Sequence, residues 1–376
     1  MNDAAASALG PGAMRRVDDA LAWVLASSEP SARRIVRSAL LGDAGGAAAE
    51  QARVLVDPGI DALVGRLGDW TVDHRLSGHA SPAFAPNLLM LLADLGVGPG
   101  DDPRIEGVLD AMLDHALPDG RFASFARARG AETARWGSLL CDTHAITEVL
   151  LRFGRGGDPR VARALAVMSD DLTTTAQGDA WPCRADPASS FRGPGRKDDV
   201  CPQVTLEALR AWSMVPLDER PAYLLGAARV VLGVWRARAL AKPYMFGHGY
   251  QFKVVKWPTT WYGVLAVLDT LGRYPALWSG PDADPADRRS LAELMASLVA
   301  YNVAADGRVT PQSCYRGFEG YSFGQKVVPS PFATARVREV LHRLHELAPE
   351  AAAVDVASLG SSKGGTGTSR PPRIGR

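Results

Sequence analysis

The chain is short of the features that usually announce a function. Four cysteines in 376 residues are too few and too unevenly spread for a disulfide framework. No uninterrupted apolar run approaches the roughly 20 residues of a membrane span, so no integral membrane segment is expected. Lys and Arg (42) nearly balance Asp and Glu (41), leaving a formal charge of +1. That balance provides no global field for nucleic acid or an anionic surface. Strand-like alternation is scarce, and Gln251 to Val255 is the single good short candidate. There is no phosphate-cradling Gly-rich loop with Lys-Ser/Thr, no dinucleotide fingerprint and no nucleophile elbow. The opening MNDAAASALGPGAMRR lacks the basic-then-apolar order of a secretory leader. These absences point to a cytoplasmic chain with reduced thiols, which are free to bind metal.

What is present is helical periodicity in pairs. Val17, Leu21, Val24 and Leu25, then Ile35, Val36 and Leu40, recur at helical spacing, as do Val54, Leu55, Ile60, Leu63, Val64 and Leu67. From residue 86 one unit repeats: a helix, a Gly/Asp/Pro link, a second helix and a Gly-containing turn. Its copies pair 86–95 with 105–117, 141–153 with 161–172, 201–214 with 222–240, and 261–271 with 290–303; a last helix, 332–347, closes the set. A repeat of two helices cannot bury both faces alone and must stack on its neighbours, in an open solenoid or a closed ring. We therefore expect an all-α domain over 17–348, a flexible N-terminus at 1–16, and a disordered Ala/Ser/Gly/Pro-rich tail at 349–376.

Three of the four cysteines fall between Leu140 and Ala208, in Cys141-Asp-Thr-His144, Trp181-Pro-Cys183 and Asp199-Val-Cys201. If Cys141 and Cys201 open the inner helices of successive hairpins, their N-termini share one rim, and Cys183 emerges there from the outer helix between them. Helix N-termini favour the thiolate that a metal needs. His144 stands one turn after Cys141, and Asp199 two residues before Cys201, so either could be a fourth ligand. The metal set is then Cys141, His144, Cys183, Asp199 and Cys201, with zinc as the ion and iron compatible with the same ligands. Any one of these cysteines alone is more simply a small core residue.

Aromatics crowd one region. Trp181, Tyr244, Phe246, Tyr250, Trp257, Trp261 and Tyr262 could line a cavity for an apolar chain or fill the core between helices. Arg236, Arg238, Lys242, Lys253 and Lys256 flank them and could hold a diphosphate or be solvated surface. His248, between two glycines, is a ligand or acid/base candidate. With Asp199 it forms the catalytic set.

The turns Asp119-Gly120-Arg121-Phe122 and Gln177-Gly178-Asp179-Ala180-Trp181 resemble repeats of the prenyltransferase and squalene-cyclase superfamily, over roughly Val17 to Leu347. The resemblance implies an α/α toroid of helical hairpins around a central cavity. Protein prenyltransferases of that group bind a catalytic zinc through an Asp-x-Cys, and Asp199-Val200-Cys201 looks like that element, although no histidine matches on the following inner helix. The Asp-x-Asp-Asp motif of squalene-type cyclases is missing. The expected function is a metal-dependent enzyme of prenyltransferase or terpenoid-cyclase type, acting on an apolar, isoprenoid-like or lipidated substrate. The alternative is a non-catalytic toroid that binds a peptide or lipid, or a partner protein, with the metal as a staple.

Overall fold

The structure, a computed structural model, describes residues 19–72, 74–75, 81–127, 132–184, 198–243 and 246–360. Residues 1–16 and 361–376, and Tyr244, lie outside it. The chain is mostly helical. After a helical segment at 19–25 come α1 (Pro30–Ile35, extended by a π-helical turn Val36–Leu40), α2 (Ala44–Val54), α3 (Pro58–Val64), α4 (Ala85–Leu95), α5 (Pro103–Asp114), α6 (Leu140–Arg152) and α7 (Pro159–Asp170). Then follow α8 (Pro202–Trp212), α9 (Tyr223–Arg236), α10 (Tyr250–Lys253), α11 (Val264–Leu271), α12 (Pro285–Asn302), α13 (Pro331–Arg343) and α14 (Ala348–Ala352). The described residues gather into two compact units, one of 55–231 with 243–246 and one of 19–54 with 232–242 and 247–360.

In the first unit α4, α6 and α8 stand in a row. His144 reaches Val204 and, one turn further on, Glu148 reaches Arg210. Contacts that advance together along both chains mean that α6 and α8 run parallel, one repeat apart in sequence. Arg152 at the end of α6 reaches Asp94 near the end of α4 at 3.0 Å. Helix α7 packs on α6. The turn before α7 is tied to α5 by Arg155–Glu106 (2.6 Å) and Arg155–Asp110 (2.9 Å), and α7 itself by Arg160–Asp114 (3.3 Å). These pairs are largely solvated and contribute little each, about 0 to 1 kcal/mol. In the second unit α11 packs on α12 and α13, and α13 packs on α1.

Two local devices repeat. Four helices begin Asp-Pro: Asp57, Asp102, Asp158 and Asp284 each accept an N–H hydrogen bond, at 2.7 to 2.8 Å, from the residue two positions on. Asp satisfies one orphan amide while Pro fixes the first helical φ and needs no partner. The second device joins a turn to the next helix. Ala116 bridges Phe122, β4 (Thr173–Thr175) pairs with β5 (Gly178–Ala180), and Val303 bridges Val309, each across a glycine with positive φ. Gly120 and Gly178 are required: a Cβ would lie 2.6 Å from the Arg163 side chain or 2.8 Å from that of Val230.

Just past each turn the backbone is bonded by a buried threonine four residues into the following helix. Thr143 Oγ1 accepts from Phe122 N–H at 3.3 Å, Thr205 Oγ1 from Trp181 N–H at 3.2 Å, and Thr334 Oγ1 from Val309 N–H at 2.9 Å. The same hydroxyl donates to the Phe122 and Trp181 carbonyls in the first two cases. In the third it donates to Ser330 in the preceding turn. Each repeat is thereby locked to its own turn.

Three expectations change. Gln251 to Val255 is not a strand but mostly the helical turn α10: Phe252 and Lys253 donate their N–H groups to Gly249, and Phe252, Lys253, Val254 and Val255 are all buried where a strand would alternate. Short strands form instead at β1 (His74–Arg75), β2 (Ser124–Arg127) and β3 (Arg135–Gly137), with β1 parallel and β3 antiparallel to β2. Finally, residues 349–360, expected in the tail, include most of α14 and a 3-10 turn Val356–Ser358. Helix α14 packs on α12, with Arg288 paired to Glu350 and Ala351 fully buried. Leu359 is buried as well, so a segment whose composition reads as tail still contributes apolar side chains to the packing.

Candidate functional site

The three cysteines of the 140–208 stretch are brought together. Cys141 is the second residue of α6, Cys201 is the N-cap of α8, and the segment 181–184 runs between these two helix starts. Leu140 N–H donates to Arg184 O at 3.4 Å and Cys201 N–H to Trp181 O at 3.2 Å. The Cys201 thiol hydrogen-bonds the Cys183 sulfur, and Cys141 is close enough to Cys183 and to Glu207 to feel their charge.

Their electrostatics run against the helix-terminus expectation. Cys141 and Cys201 are 3% and 4% exposed. Burial pushes both thiols well up, and nearby acidic groups add to the shift. Cys183, half-buried, is lowered by the hydrogen bond from Cys201. Desolvation outweighs a helix N-terminus, whose effect is on the order of 1 kcal/mol.

The other proposed ligands have other partners. His144 is fully buried and donates Nδ1–H to the Val204 carbonyl at 3.2 Å, with its ring edge-on to Trp181. Burial pulls its pKa down to about 3, so the ring is neutral and its Nε2 lone pair has no hydrogen-bond partner. Asp199 accepts from Gln177 Nε2 at 3.3 Å, and Gln177 in turn accepts from Val200 N–H at 2.8 Å. Among the described residues, no three or more His, Cys, Asp or Glu side chains are placed to share a metal ion. Of the five residues expected to bind zinc, Cys201 lies against Cys183, and Gln177 engages Asp199.

Sequence reasoning passed over what lies beside the thiols, a row of buried polar groups on the facing sides of α6 and α8. Glu148 is 0% exposed and pairs with Arg210 and, at 2.8 Å, with Arg152; Arg152 also pairs with Asp94 at 3.0 Å. Arg210 also points Nη2 at Met90 Sδ, 3.0 Å away. Asp142, which accepts from Ser124 Oγ at 3.0 Å, is pushed up to about 6 by burial. Glu207, 2% exposed, accepts from Gln203 Nε2 at 2.6 Å, while its Oε2 has no partner. Burial, aided by the charges of Asp142 and Glu148, lifts its pKa to about 8, against the pull of Gln203 and Arg210. At neutral pH Glu207 is mostly a carboxylic acid. The spacing Gln203, Glu207, Arg210, one polar face on an otherwise apolar helix, was the available signal.

The aromatic set separates by burial. Trp181 is core: fully buried, it donates its indole N–H to Met168 O at 2.7 Å. Trp257 (1% exposed) packs on Phe332, and Tyr262 (3%) holds His248. Phe246 and Tyr250 are half-buried, and Trp261 is 45% exposed. His248 is buried, not exposed as a turn histidine should be. Its Nε2 is 3.1 Å from Tyr262 Oη, its ring contacts Trp235 and Phe252, and burial lowers its pKa to about 4. The basic residues are engaged as well: Arg236 pairs with Asp287 at 3.1 Å, Arg238 stacks on Trp235 and pairs with Glu293, Lys253 bonds Tyr301, and Lys256 sits over the Tyr315 ring. Lys242 is exposed.

No helix among the described residues is long and apolar enough to cross a membrane. No protein family and no curated protein matches the sequence. Among solved structures, a polysaccharide lyase is similar at 10% identity and a TM-score of 0.31, over 89% of this chain and 97% of that one.

Proposed function

We propose that this chain is an enzyme that moves a proton on an uncharged, apolar substrate of isoprenoid type, on a helical-hairpin scaffold closed into an α/α toroid. The observation that carries this reading is Glu207, buried among thiols with one carboxyl oxygen unpartnered and its acid form retained near pH 8. A buried polar atom without a partner costs about 1 to 3 kcal/mol, which packing alone gives no reason to keep. A carboxyl titrating near the working pH is suited to general acid catalysis, since it holds its proton and can still release it. The polar end of the substrate is an uncharged oxygen, because an anion there would meet Asp142 and Glu148. For the same reason a terpenoid-cyclase type of substrate is favoured over a diphosphate donor. The parallel pair α6 and α8, with α4 packed on α6, and the packing of α13 on α1 support the toroid.

The second reading is a non-catalytic toroid that binds a lipid or peptide, and the near-complete burial of Cys141, Cys201 and Glu207 favours it. One experiment separates the two. The purified chain is incubated with isoprenoid alcohols, aldehydes and epoxides, and products are followed by mass spectrometry in wild type and Glu207→Gln. Catalysis predicts conversion by wild type and a loss of about 100-fold or more in the variant, with an unchanged circular dichroism spectrum. No conversion by wild type, or equal conversion by both, overturns it.

A further inference from the structure

We propose that Cys183 and Cys201 form a redox-active dithiol that a peroxide oxidises to a disulfide. Two segments distant in sequence are held side by side by the bond from Cys201 N–H to Trp181 O at 3.2 Å, which sets the two sulfurs next to each other. The pair is asymmetric. Cys183 is half-buried and can be reached from solvent, whereas Cys201 is 4% exposed. This is the arrangement of an attacking and a resolving cysteine: the accessible thiolate meets the oxidant and the sheltered thiol closes the bond.

The chemistry balances in two steps. The Cys183 sulfur attacks one peroxide oxygen, the O–O bond breaks, and the thiol with hydrogen peroxide gives a sulfenic acid and one water. The Cys201 sulfur then attacks the Cys183 sulfur, the S–O bond breaks, and the hydroxide leaves with the Cys201 proton as a second water. Two thiols are oxidised by two electrons in total, and the peroxide is reduced to two waters. Cys141, 3% exposed and next to the pair, takes no part. The inference goes beyond the catalytic reading of Glu207 and stands without it, because its test reads sulfur and not turnover.

The full-length reduced chain is treated with hydrogen peroxide, alkylated with N-ethylmaleimide, digested without reductant and mapped by mass spectrometry. The expected result is one pair of joined peptides carrying Cys183 and Cys201, two hydrogens lighter than their sum and separated by dithiothreitol. In Cys201→Ser, Cys183 should instead accumulate as a sulfenic acid captured by dimedone. Cys183→Ala, at the half-exposed position, should lose the cross-link and leave Cys201 alkylatable. The proposal is overturned if both thiols alkylate equally with and without peroxide, or if the bond joins Cys141 or Cys314. It is equally overturned if the chain as purified holds zinc on these thiols and they react only after chelation.

Discussion

Asp269 of α11 and Glu207 of α8 are both carboxyls buried within a unit, yet they sit in opposite electrostatic company. Asp269 meets Arg343 at 2.7 Å, Arg336 at 3.2 Å and Arg273 at 3.3 Å. Burial raises its pKa, but the three guanidiniums outweigh that and hold it well below the carboxylate range. Glu207 has one coulombic helper, Arg210, which Glu148 also engages, and two acidic opponents, so burial wins and the proton stays. The count of compensating charges, not depth, decides the ionisation state. The second unit uses a buried charge for cohesion, while the first maintains a buried acid that does nothing evident for cohesion.

The largest break in this comparison is Asp269→Ala, which leaves three arginines without their shared anion and should cost about 3 to 5 kcal/mol in urea unfolding. Its pH signature has a definite sign. A folded pKa below the unfolded value makes the stabilisation complete above about 4 and lost as pH falls through the folded pKa. Asp269→Asn should flatten that acid limb, and an unchanged limb would remove the assignment. Glu207 predicts the mirror image. Its folded pKa of about 8 lies above the ordinary 4.5, so wild-type stability should decline as pH rises between those values. Glu207→Gln should be more stable than wild type at pH 8 by an amount on the order of a few kcal/mol, and no more so at pH 4. A variant that is less stable at pH 8 would mean that Glu207 is ionised and paired.

Smaller effects test what the units share. Thr334→Val strands the buried Val309 amide and should cost about 1 to 3 kcal/mol by thermal or urea unfolding. Thr143→Val, whose bonds to Phe122 are longer at 3.3 and 3.4 Å, should cost less. An equal cost would show that the distances carry no weight. Smallest is Asp158→Ala, a lost cap on α7 worth about 1 kcal/mol. It should be matched by Asp284→Ala on α12, since both carboxylates accept the same N–H at 2.8 Å.

The helices were legible because their signals are local. Apolar spacing and proline starts placed α6 at 141–153 against Leu140–Arg152 and α8 at 201–214 against Pro202–Trp212. The Asp-Pro pairs at 57, 102, 158 and 284 were as readable, and would have fixed four helix starts to the residue. The meeting of Cys141, Cys183 and Cys201 needed one step more, that the helices beginning at Leu140 and Pro202 start side by side. What those thiols do with their protons did not follow, because a helix start argues for a thiolate while burial, invisible in the sequence, argues more strongly against it. The surroundings of His248 were equally hidden: nothing in its two flanking glycines shows that Trp235, Phe252 and Tyr262 enclose it.

The sequence by itself determined the repeating helices, their turns and the stretch in which the chemistry-bearing side chains fall, since periodicity, caps and left-handed glycines act over a few residues. Only the tertiary structure decided which groups are charged. An acid with a free oxygen on α8 and an acid clasped by three arginines near α13 have the same functional group; what separates them is the charge that other helices bring within a few ångströms.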